Sequence, residues 1–144
     1  MIVLLQRVSG AKVEISGECI ASIDQGILAF VGVQAEDDKI TAENFISRII
    51  NYRLFSDEQV KMNLSLIDIN GGLLLVPQFT LAANTGKGRR PSFTSAAAPN
   101  IGESVFQSMV DCARSSYPAV ECGHFGADMA VHLINDGPVT FILN

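Results

Sequence analysis

Apolar and polar positions along residues 2–15, "IVLLQRVSGAKVEI", place Val3, Leu5, Val8, Ala11, Val13 and Ile15 so that the later ones alternate with polar neighbours. That period of two is the pattern of a strand with one buried face. "GECIASIDQG" reads as a short strand bounded by glycines, and "GILAFVGV" as a continuous apolar buried strand. The first third is therefore mostly sheet. After "QAEDDK" the period changes: "TAENFISRIINYRLF" spaces Phe45, Ile46, Ile49 and Ile50 helically, with Thr41 as the expected N-cap and Asn44 three residues on. "NYRLFSDEQVKMNLSLIDINGG" supplies a strand, an acidic turn and a weakly alternating stretch that ends at the Asn70-Gly71-Gly72 turn. A second helix, "NIGESVFQSMVDCARSSYP", gathers Ile101, Val105, Phe106, Met109, Val110 and Ala113 on one face and stops at Pro118.

Two stretches break the pattern. "LLLVPQFTL", residues 73 to 81, is a buried strand interrupted by Pro77, which has no backbone N–H to donate to a ladder. Either this is an edge strand, or pairing stops there and the N–H groups of Phe79 and Thr80 are free to point into a pocket. The C-terminal part holds two apolar stretches separated by Asn135-Asp136-Gly137-Pro138, which from spacing reads as a turn joining two strands. Its Gly-Pro bond is among the few that can be cis at modest cost. Strands with two principal helices and no regular strand-helix alternation predict an α+β fold with mainly antiparallel sheet. No repeat, linker or low-complexity tract divides it, so residues 1–144 are expected to form one domain.

Composition narrows the function. A chain of 144 residues, 48% hydrophobic and 17% charged, can bury roughly two-thirds of its unfolded surface and fold as a soluble globule. A net charge of −5 argues against a general nucleic-acid coat, and neither DNA nor a membrane is expected as a partner. Lys87, Arg89 and Arg90 nevertheless cluster in "TGKGRRPSF", while "QAEDD" and "SDE" concentrate acid elsewhere. The cluster suits either a phosphate-bearing ligand engaged at one place or a solvated basic turn. It is not a P-loop, because Ser or Thr does not follow Lys87. Cys19, Cys112 and Cys122 are odd in number and widely spaced, which suggests neither a disulfide framework nor a zinc ribbon and makes a reducing cytosol the simplest home. Cys122-x-His124 lacks zinc spacing and reads better as a buried thiol beside a loop histidine, so no metal and no cofactor are expected. The apolar run after Met1 is too short for a signal-peptide core.

Thr80 is a hydroxyl in an unusual backbone setting, yet a threonine nucleophile needs a base. His132 alternates with Val131 and Leu133 as a solvent-facing strand residue, and His124 sits beside Phe125 and Gly126, so neither is fixed near it. Backbone catalysis is the stronger idea: preorganised N–H donors are what an ester carbonyl needs as negative charge develops on its oxygen.

Together, "LLQRVSGAKVEI", "KMNLSL", "QFTLAANTGKGRRPSF", "FGADMAVHL" and "NDGPVTF", in order and nearly end to end, resemble the D-aminoacyl-tRNA deacylases. The resemblance implies a barrel-like sheet and a homodimer with its active sites at the interface. It implies hydrolysis of the ester joining a D-amino acid to the terminal adenosine of tRNA, or glycine mischarged on alanine tRNA, as proofreading in the cytoplasm. It assigns Gln78, Phe79 and Thr80 to catalysis, and Gly137 and Pro138, as a Gly-cisPro pair reaching into the partner's site, to rejection of L-aminoacyl groups. Phe125 and Met129 would line the adenosine pocket, Arg7 would brace the Gly-Pro loop, and Lys87, Arg89 and Arg90 would meet tRNA phosphates. The family is thought to use the tRNA's ribose 2′-hydroxyl to assist the attacking water, Thr80 being an older nucleophile proposal. The chain departs from the family at Pro77, where Ser is usual. Two other classes fit the residues: a non-catalytic binder of the tRNA end or of adenine, and a Thr-nucleophile esterase acting on small D-aminoacyl esters.

Overall fold

The computed structural model describes residues 1–86 and 88–144; Lys87 lies outside the described residues. In chain order the elements are β1 (Ile2–Ile15), β2 (Glu18–Ile23), β3 (Gly26–Gly32), α1 (Lys39–Ile50), β4 (Phe55–Ser56), β5 (Met62–Leu64), α2 (Leu66–Ile69), β6 (Gly72–Pro77), a 3₁₀ turn (Phe79–Ala82), α3 (Pro99–Ser116), β7 (Val120–Cys122) and β8 (Ala130–Leu143). β1 is the hub of the sheet. On one side its first half pairs with β3 and its second half with β2; on the other it pairs with β8 along most of its length, every one of these pairings antiparallel. β3 continues into β6, and β6 into β7, as the two parallel pairings of an otherwise antiparallel sheet. β2 packs back against β6 and β7, so the sheet curls into a nearly closed barrel.

The curl divides the core in two, which explains the unbroken apolar runs. Alternate residues of β3 and β6 face opposite sides: Ile27, Ala29, Leu73 and Leu75 pack with Ile46 and Ile49 of α1 and Met109 and Val110 of α3. Leu28, Leu74 and Val76 instead join Val8, Val13 and Ala21 inside the curl. A strand buried on both faces has no polar side to show. Gly26 and Gly72 lie opposite each other where β3 and β6 begin, and a Cβ on Gly26 would sit 1.9 Å from the Gly72 carbonyl oxygen.

Several sequence expectations are corrected. Helix α1 begins before Thr41: Asp38 is the N-cap, its carboxylate accepting from the Thr41 N–H and hydroxyl, each at 2.8 Å. A carboxylate outcompetes a hydroxyl for orphan N–H groups, and the same bonds hold Asp38 below the usual carboxylate range. Ile101, placed on the buried face of the second helix, is exposed in its first turn, before α3 reaches the core. The weakly alternating "SLIDI" contains the short helix α2, closed by a capping box between Ser65 and Asp68. Cys19 is exposed, and Cys112 and Cys122 are only half-buried, so the thiols are not core residues. The two C-terminal apolar stretches form one strand, because both flanks of Asn135–Pro138 pair with β1.

Two consequences are measurable. Gly26→Ala forces β3 and β6 apart at a backbone contact and is expected to cost about 3 kcal/mol in chemical denaturation, the upper part of the overpacking range. Asp68 is held below the ordinary aspartate value, first by the Ser65 N–H and then by its hydroxyl. A depressed folded pKa stabilises above the unfolded value of about 4 and ceases to as the pH falls through the folded one. The stability advantage of the native chain over Asp68→Asn should therefore be full at pH 6 and shrink steadily in denaturation curves taken towards pH 3.

Candidate active site

Alternate residues of β6 address opposite neighbours. The Leu73 N–H donates to Ala119 O at 2.8 Å on the β7 side, and the Gln78 N–H to Val31 O at 2.7 Å on the β3 side. Pro77 falls on the β7 side, where pairing ends at Leu75 opposite Cys122 and the Gly123 N–H closes the ladder on Leu75 O at 2.9 Å. The missing N–H is thus placed where the ladder has ended. Of the two readings of Pro77, the edge strand is excluded, since β6 lies between two neighbours up to that point.

The chain then tightens into the 3₁₀ turn, with Leu81 N–H donating to Gln78 O and Ala83 N–H to Thr80 O. As the first residues of a helical turn, Phe79 and Thr80 have no acceptor for their N–H groups among the described residues. Both are exposed. The Gln78 side-chain amide donates to Thr80 Oγ1 at 2.6 Å, which fixes the hydroxyl but cannot deprotonate it.

Phe79 opens on a cleft of about 250 Å³ that it lines with Pro77, Ala97, Pro99, Phe125 and Gly126. An adjoining groove of about 270 Å³ runs from Gln78 and Phe79 to Asp128 and Met129. The Phe125 ring is seated by Gly102 of α3, where an added Cβ would lie 3.2 Å from its Cζ, and tilts against Phe106 at 6.4 Å between centroids. Met129 packs its sulfur over Gly123, where a Cβ would approach to 2.7 Å. Gln78, Phe79, Phe125 and Met129 are thus brought together around the two hollows, while Thr80 follows Phe79 in the 3₁₀ turn and lines neither.

Gly137 and Pro138 are not: neither lines the cleft or the groove. Gln6 pairs with Thr140 and Val8 with Asn135, so Asp136, Gly137, Pro138 and Val139 all stand opposite Arg7 as a bulge in β8. Its Gly137–Pro138 peptide is cis. Arg7 holds the base of the bulge, donating from Nε to Asp136 O at 3.0 Å and from Nη1 to Leu54 O at 2.9 Å. Asn135 ties its ends, accepting from the Val139 N–H and donating to Thr140 Oγ1. Gly137 has φ +125°, and a Cβ there would meet Arg7 Nη2 at 2.8 Å, so the guanidinium lies where a side chain would be.

Arg89 and Arg90 are exposed on the 83–98 loop and form no ion pair among the described residues. Sequence reasoning missed Ala97 and Pro99, which wall the cleft from the start of α3, and Phe93, which packs on Phe79. Only Pro99 carried a local signal, as a proline able to open a helix.

Unpaired backbone donors beside an aromatic cleft are able to hydrogen-bond a developing oxyanion, as the hydrolysis of an acyl ester requires. Comparison with known proteins agrees: the family model described as "D-Tyr-tRNA(Tyr) deacylase" matches residues 4–144, and the chain belongs to that family. It is 59% identical over 140 residues to a D-aminoacyl-tRNA deacylase of Pseudomonas aeruginosa, covering 97% of each chain. It is 56% identical over 143 residues to one of Ectopseudomonas mendocina, covering 99% of each. Among solved structures it is similar to a c-Myc DNA unwinding element binding protein, with TM-score 0.95, 37% identity and coverage of 100% and 98%. A probable eukaryotic D-amino acid tRNA deacylase shares the fold at 15% identity, with TM-score 0.85 over 99% and 97% of the two chains.

Arg7 spans the bulge and the Leu54 carbonyl with a planar fork that Lys cannot reproduce. Arg7→Ala should lower stability by about 2 kcal/mol, and Arg7→Lys should recover less than half of it in urea unfolding.

Proposed function

We propose that the chain hydrolyses the ester between a D-amino acid and the terminal adenosine of tRNA, at a site whose chemistry is carried by backbone. The pair of free N–H groups at Phe79 and Thr80, beside a cleft with an aromatic wall, is the observation that carries this reading. The ester carbonyl oxygen accepts from that pair as the attacking water makes it an oxyanion, and one such donor is typically worth about 3 kcal/mol in the transition state. Phe125 stacks on the adenine face and Met129 packs beside it, a ring and a soft thioether each suiting a base. Gln78 fixes Thr80 Oγ1, so the hydroxyl orients rather than attacks. With no base in hydrogen-bond reach of Thr80 Oγ1 among the described residues, the ribose 2′-hydroxyl of the substrate is the natural group to assist water, and the Thr-nucleophile reading is disfavoured.

Chirality requires a second copy of the chain. Gly137 and Pro138 project from a bulge away from their own cleft, and β8 presents Ile134 and Ile142, 68% and 62% exposed, beside an edge with no partner strand among the described residues. In a homodimer the bulge enters the partner's cleft, where its carbonyls hold the amino group of a D-residue and its walls collide with an L side chain. Glycine, having no side chain, passes the same filter and is removed from alanine tRNA. Arg7 keeps the bulge rigid, and Lys87, Arg89 and Arg90 meet tRNA phosphates. The setting is the cytoplasm, one domain acting on aminoacylated tRNA without a cofactor.

Turnover of D-Tyr-tRNA and L-Tyr-tRNA tests this: the D-ester should be cleaved at least about a hundredfold faster, the scale of a site that rejects by collision and unpaired groups. Equal rates, or tight tRNA binding without cleavage as a non-catalytic module would give, contradict it. Thr80→Ala should retain turnover with no trappable acyl-enzyme, whereas a Thr-nucleophile esterase would lose all activity.

A further inference from the structure

Phe79 and Phe93 are both exposed, 56% and 41%, and stack on each other with centroids 5.2 Å apart and planes at 51°. Each ring thus keeps a large part of its surface open to solvent while packing on the other. The 83–98 loop nevertheless fixes Phe93 firmly: Asn84 and Ser92 exchange backbone hydrogen bonds at 2.7 and 3.0 Å, Ser95 Oγ donates to Ala82 O, and Ala97 N–H donates to Val33 O at 3.0 Å. Phe93 is therefore presented on a braced loop. It extends the aromatic lining: Phe125 and Phe79 line the cleft, and Phe93, outside that lining, packs on Phe79. Arg89 and Arg90 lie on that same loop, exposed and without a carboxylate partner among the described residues. An exposed ring packed on a cleft residue, with two arginines three and four positions before it in the chain, is the composition of a single-strand nucleotide platform, in which the ring takes a base face and the arginines take phosphate.

We propose that Phe93 is a second nucleotide subsite, stacking the base of the nucleotide immediately 5′ to the terminal adenosine, with Arg89 or Arg90 on the phosphate that joins the two. This rests on the reading of Phe125 and Met129 as the adenosine pocket. The subsite gives the enzyme affinity for a strand end beyond the esterified nucleoside, independently of the aminoacyl group.

The test compares kcat/KM on two small substrates carrying the same D-tyrosyl ester, one on adenosine and one on the cytidylyl-adenosine dinucleotide. For the native chain the dinucleotide should be preferred by about tenfold, the lower part of the range for stacking one base on an aromatic ring. Phe93→Ala should bring the ratio close to one, mainly through KM, and Phe93→Tyr should keep it near the native value. A native ratio of one, or a Phe93→Ala ratio as high as the native one, overturns the subsite; in the second case Phe93 only props Phe79 and both substrates fall together. If the native chain cleaves neither substrate yet cleaves D-Tyr-tRNA, recognition lies elsewhere on the tRNA and this proposal fails while the function stands. Failure on all three substrates removes the function itself, and the subsite with it.

Discussion

The constraint on which the rest depends is the end of hydrogen-bond pairing at Pro77. A parallel strand buried between two neighbours satisfies its backbone by continuing, and a buried strand that ends needs somewhere for its next donors to go. Here β7 stops opposite Leu75, proline removes the one N–H that would be stranded on that side, and the chain bends into a 3₁₀ turn. Among the described residues the Phe79 and Thr80 N–H groups then have no acceptor, and Phe79 lines an open cleft. The unpaired donors are thus a backbone geometry produced by where two strands end.

The supporting elements make that geometry rigid. The Phe79 turn is attached to the most buried part of the molecule, because β3 and β6 have a core on each face. Phe125 is positioned from the other direction by α3, whose Gly102 gives the ring its seat. The Gly137–Pro138 bulge is equally determined, with Arg7 beneath it and Asn135 across its neck, but it lies along β1 away from the cleft of its own chain. One chain therefore holds a donor pair and a bulge that do not line a common cleft.

Much of this was legible in the sequence where a residue type is tied to one backbone role. Pro77 marked the spot where pairing changes, though an edge strand and an end of pairing stayed equally open, and the unbroken apolar run of residues 26–33 marked a buried strand. What depended on partners was not legible. Asn135–Pro138 reads as a turn until it is known that both flanks pair with β1, and the Thr41 cap was displaced because a carboxylate three residues earlier is a stronger acceptor. Phe93 was invisible for the same reason, since its meaning comes from the ring it stacks on and not from its neighbours in the chain.

The central claim is that the Phe79 and Thr80 N–H groups bind the carbonyl oxygen of the ester. Backbone amide chemical shifts, followed while the chain is titrated with an adenosine bearing a non-hydrolysable 3′-amide-linked D-tyrosine, test it most directly. The account predicts large downfield proton shifts at Phe79 and Thr80, saturating together with those of Phe125 and Met129. Saturable binding that moves Phe125 and Met129 but leaves the Phe79 and Thr80 amides unchanged would contradict it.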